Sequence, residues 1–91
     1  MNSTIEIPHN DEFSVYLEVR WKPKTATYLF FESIQWCTDH FKYAPRRQSR
    51  MIDNDFFIEV WLKTESDGMR YILTWSDYFD MVMYDAQNSI T

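Results

Sequence analysis

Two stretches of this 91-residue chain echo each other at a spacing of 43 positions, and the echo limits the folds open to it. Phe56, Ile58, Val60 and Leu62 fall on Phe13, Val15, Leu17 and Val19. Without a gap, Tyr71, Ile72, Leu73, Ser76 and Phe79 then fall on Tyr28, Leu29, Phe30, Ser33 and Trp36. The first four pairs stand at every second position, which is the period of a strand with one buried face. The echo therefore predicts two ββα units in tandem, an internal pseudo-repeat. They span 12–43 and 55–87, after a tail over 1–11 and around a linker over 44–54.

Taken in order, Glu12 to Trp21 reads as the first strand and Lys22-Pro23-Lys24 as a turn, because proline lacks the ladder donor. Thr25 to Phe31 reads as the second strand on its threonines and aromatics. Ser33 then caps a helix that ends near Tyr43, before Pro45. Phe56 to Lys63 is the third strand, and Glu65-Ser66-Asp67-Gly68 a turn in which Gly68 supplies positive φ. Met69 to Trp75 is the fourth. A second helix follows from Ser76, with Phe79, Val82, Met83 and Ala86 at i, i+3, i+4 and i+7.

The fold class that follows is α+β: a four-stranded antiparallel sheet covered on one face by two helices, in a single domain. Phe13, Val15, Leu17, Val19, Phe56, Ile58, Val60 and Leu62 should face the helices. Tyr16, Glu18, Arg20, Phe57, Glu59, Trp61 and Lys63 should lie opposite, where Phe57 and Trp61 are more apolar than a wet face requires.

Aromatic residues make up 19% of the chain, enough to build a core in a small domain without cross-links. Cys37 is the single cysteine, which fits a reducing, cytoplasmic setting. The run from Met1 to Glu6 has neither the basic nor the apolar region of a signal peptide, and no run approaches a membrane span. A net charge of −5 counts against general nucleic-acid binding, which rests on neutralising phosphates.

No constellation for catalysis stands out. Cys37 and His40 could begin a zinc site or a thiolate–imidazole pair, but further ligands or an orienting group are lacking. Asp77 and Asp80 read as dipole-compensating charge at a helix start rather than an acid–base pair. A single glycine cannot form a phosphate cradle. The expectation is therefore no enzyme activity, no cofactor and no metal.

What remains is a small acidic interaction protein that binds and inhibits or sequesters a protein partner. Its surface is expected to include Tyr16, Phe57, Glu59, Trp61, Asp77, Asp80 and Tyr84. Carboxylates at i and i+3 on a helix lie about 5–6 Å apart, near the spacing of phosphates. A nucleic-acid mimic aimed at a nuclease or other nucleic-acid-binding protein is therefore one form of this reading. Small phage inhibitors of host defence and bacterial immunity proteins share this general size and charge. The alternative is a single-stranded nucleic-acid module that stacks bases on Tyr16, Phe57 and Trp61, with Arg20 and Lys63 alongside. It ranks second because Glu18 and Glu59 share that face. The apolar surplus also admits a homodimer.

Overall fold

In the computed structural model, which describes residues 12–86, the alternating run around Leu17 becomes strand β1, Val15–Trp21. Helix α1, Leu29–Phe41, follows, and then strand β2, Arg46–Ile52. Strand β3, Asp55–Leu62, leads into helix α2, Glu65–Trp75, and strand β4, Phe79–Asp85. The four strands form one antiparallel sheet in the order β2-β3-β1-β4. This is an α+β fold in the split βαβ arrangement, with β1 and β3 at the centre and β2 and β4 at the edges.

The element order is β-α-β-β-α-β, so the hairpin–helix units expected over 12–43 and 55–87 are not what forms. The echo correctly lays β3 on β1, because both are central strands with one face in the core. Beyond them it lays Phe79 of β4 on Trp36 of α1, and Tyr71 of α2 on Tyr28, ahead of α1. Residues 1–11, expected as a tail, lie outside the described residues.

Four local corrections have physical reasons. Residues 44–54 are no linker: they hold β2 and a two-residue turn, Asp53-Asn54, in which both residues have positive φ (50° and 69°). Such a turn matches the twist of a hairpin, and short Asp and Asn side chains tolerate it. Thr25 and Ala26 are irregular, Thr27 and Tyr28 form a turn, and Leu29 to Phe31 is helical. Ser33 is consequently inside α1 rather than at its cap. Lys42 closes that helix with φ 68° and a backbone N–H donated to Thr38.

The third correction is α2. Thr64 is its cap, its hydroxyl accepting from the Asp67 N–H at 3.0 Å, and Glu65 and Asp67 sit in the first turn where the helix dipole favours them. Gly68, Tyr71, Ile72 and Trp75 turn inward at i, i+3, i+4 and i+7. Gly68 has no positive φ; it is a packing glycine. A Cβ there would lie 2.6 Å from the Met83 sulfur and 3.2 Å from a Val15 methyl. Gly68→Val should therefore cost about 1–3 kcal/mol by overpacking, and Met83→Ala in the same chain should recover part of it. Urea melts of both variants beside the wild type check this; an unperturbed Gly68→Val protein would contradict such close packing of α2 on β1 and β4.

The fourth correction is β4. Its apolar residues satisfy a helical spacing, yet Phe79, Met81 and Met83 alternate toward the helices while Asp80, Val82 and Tyr84 point away. Ser76, expected to cap a second helix there, instead ends α2.

Both helices cover one face of the sheet. Val15, Leu17, Val19, Val60, Leu62 and Phe79 meet Phe30, Ile34, Cys37 and Tyr71 in one cluster. Phe56, expected in that core, is 44% exposed because it lies at the hairpin end, where Trp21 alone stacks on it at 6.0 Å. One buried polar link joins the helices. The Ser33 hydroxyl donates to the Phe30 carbonyl at 2.6 Å, so Tyr71 donates to Ser33 at 2.7 Å. Ser33→Ala strands the Tyr71 hydroxyl and should cost about 1–2 kcal/mol net of the helix-propensity gain. Tyr71→Phe leaves Ser33 satisfied and should cost about 0.5–1 kcal/mol. Thermal unfolding of both variants tests that order, and the reverse order would contradict this donor assignment. No helix among the described residues is long and apolar enough to cross a membrane.

Candidate interaction surface

A sheet covered by helices on one side leaves its other side to solvent, and here register decides which residues meet on it. The pairings Arg46 with Trp61, Trp61 with Tyr16 and Tyr16 with Tyr84 form one row across all four strands. The side chains in that row are stacked on one another. The Arg46 guanidinium lies 4.8 Å from the Trp61 ring centre. Trp61 and Tyr16 are 5.6 Å apart with planes 28° from parallel, and Tyr16 and Tyr84 are 5.2 Å apart at 25°. The Tyr16 hydroxyl is held above its ordinary pKa, first by burial and then by the nearby Glu59 and Glu18 charges.

The neighbouring rows are charged. Glu18 stands opposite Glu59, and Arg50 reaches Glu59 at 3.8 Å. Arg20 is the hub: it donates to both carboxylate oxygens of Asp55, at 3.0 and 2.6 Å, and to Glu18 at 3.2 Å. These bonds raise the Arg20 pKa and hold Asp55 below the usual carboxylate range. A carboxylate lowered in this way supports the fold at neutral pH and loses that contribution as pH falls through its range.

Of the seven residues expected at a binding surface, the sheet brings six to this face. Tyr16, Glu59 and Trp61 lie at its centre, with Tyr84 and Asp80 on edge strand β4. The last two were selected for a helical reason, and strand register is what places them here. Phe57 is on the same face but only 4% exposed, because the Arg20 guanidinium covers its ring at 4.4 Å. It is therefore not an exposed anchor. Asp77 lies in the turn between α2 and β4, so the two carboxylates do not share the helical i, i+3 spacing on which the mimic reading was founded. Sequence reasoning missed Arg46 and Arg50 by placing them in a linker. The available signal was the Arg46-Gln48-Arg50 alternation ahead of Asp53-Asn54.

Ring geometry bears on what this face can hold. Both faces of Tyr16 are taken by neighbours, and Trp61 is flanked by Arg46 and Tyr16. The row offers ring edges and hydroxyls outward, whereas base stacking needs free ring faces.

Cys37 is buried beneath α1, its thiol pushed up to about 12 by burial and the Asp67 charge, far from a reactive thiolate. His40 is exposed, stacked on Trp36 at 4.6 Å. Among the described residues, no three His, Cys, Asp or Glu side chains are placed to hold a metal ion. Two open depressions of about 380 and 390 Å³ flank the sheet, one beside Glu65 and Asp85, the other between Phe31 and Arg47. Comparison with known proteins returns no matching family model, no matching characterised protein and no matching solved structure.

Proposed function

We propose that the open sheet face docks a protein partner, and that the protein acts by binding and sequestering that partner rather than by catalysis. The row Arg46–Trp61–Tyr16–Tyr84 carries this reading. Trp, Tyr and Arg are the residue types enriched in interface cores and in the positions that dominate binding energy. Stacking holds their rotamers in place before binding, so little side-chain entropy remains to be lost. Glu18, Glu59, Arg20 and Arg50 flank the row on one side with paired charge, which favours one partner orientation over others.

Single-stranded nucleic acid is the weaker reading, because the ring faces of Tyr16 and Trp61 are occupied and two carboxylates stand at the centre of the surface. A mimic of nucleic acid also finds less support, since arginines are interleaved with the acidic residues on this face.

The test is affinity capture from the native cell with three baits. The wild-type protein should retain a discrete protein that Trp61→Ala and Tyr84→Ala lose. Leu73→Ala, on the exposed outer side of α2, should retain it. Recovery that disappears after nuclease treatment, or capture indifferent to Trp61 and Tyr84, would overturn the proposal.

A further inference from the structure

The two edges of the sheet carry opposite charge. Strand β2 holds Arg46, Arg47 and Arg50 and no carboxylate, whereas β4 holds Asp80 and Asp85 and no cation. Among the described residues each has a strand partner on one side only, β3 for β2 and β1 for β4. Each therefore presents an outward row of backbone N–H and C=O groups, the usual template for adding a strand.

We infer that the occupant of each edge is a second copy of this chain, with β4 of one copy pairing antiparallel to β2 of the next. Direction permits it. Every neighbouring pair in the sheet is antiparallel, so β2 and β4 of one chain also run in opposite senses. A copy placed beside the first in the same orientation thus continues the antiparallel sheet and keeps all helices on one side.

Continuing the rows across the junction also matches the side chains. Arg50 of the next copy falls beside Asp80, which has no ion-pair partner within its own chain among the described residues. Gln48 falls beside Val82, and Arg46 falls against Tyr84, on the side away from Tyr16. The row then repeats as Arg–Trp–Tyr–Tyr from copy to copy. On the helix side, Met51, the second most exposed of the large apolar residues, falls beside the Phe79 end of β4. The competing like-edge pairing is disfavoured by charge: β2 against β2 brings together two edges that each carry three arginines and no carboxylate.

A contact between two different edges is head-to-tail, so it generates open chains or a ring rather than a closed pair. This inference goes beyond the docking reading and is read out by mass, so either can fail alone.

Analytical ultracentrifugation over a concentration series tests it. The wild-type mass should rise past the dimer with concentration and fall back in high salt, because the edge charges are exposed and screened. Arg50→Asp alone and Asp80→Arg alone should each stay monomeric, since each sets like charges opposite one another where position 50 of one copy meets position 80 of the next. Their equimolar mixture should regain assembly, because every junction is again between opposite charges. Both positions are exposed, and circular dichroism melts confirm that each variant is folded. A wild-type protein that stays monomeric, a dimer that does not grow, or a mixture that remains monomeric would each overturn the inference.

Discussion

Leu17→Ala is expected to cost about 2–5 kcal/mol of stability, enough to leave a domain of this size largely unfolded at moderate urea. Leu17 is fully buried on β1, hydrogen-bonded to strands on both sides, with Val60 and Met83 as its register partners. It sits where the sheet meets α2, so the surrounding side chains cannot collapse into the space left without moving the helix. The cavity term then adds to the transfer term. A ureal melt that shifts by less than 1 kcal/mol, a threshold set below the usual range for such sites, would show that the core is not centred there.

Trp61→Ala should separate binding from folding. The side chain is half-buried on the opposite face of β3, held between Arg46 and Tyr16 rather than among core residues. Its loss is expected to weaken partner affinity by about 2 kcal/mol, roughly thirtyfold, while lowering stability less than Leu17→Ala does. Isothermal titration with the captured partner, alongside urea melts of both variants, supplies the comparison. A Trp61→Ala protein that unfolds as readily as Leu17→Ala would make the row part of the core.

The sequence was most legible where burial is one-sided. β1 and β3 each have one face in the core, so Val15, Leu17, Val19, Val60 and Leu62 alternate as buried positions and reveal both strands. β2 was illegible because it is exposed on both faces: Arg46 to Ile52 has no buried side to impose a period. α2 and β4 were exchanged because short apolar runs satisfy two periods at once. Gly68 tipped α2 toward a turn when its actual role is to let Met83 and Val15 approach. The wet face could be read at Tyr16, Glu59 and Trp61, all on central strands. It could not be read at Phe57, whose burial depends on Arg20 folding over it from another strand. Contacts of that kind depend on register between distant segments, and composition carries no trace of them.

Hydroxyl-radical footprinting of the free protein and of its complex tests the central claim most directly, because it reads each side chain separately. Tyr84, Trp61 and Tyr16 should be oxidised in the free protein and protected together in the complex. Tyr28 and Leu73, exposed on the helical side, should be oxidised equally in both. Protection of Tyr28 and Leu73 with the aromatic row unchanged would place the partner on the helices and contradict the account.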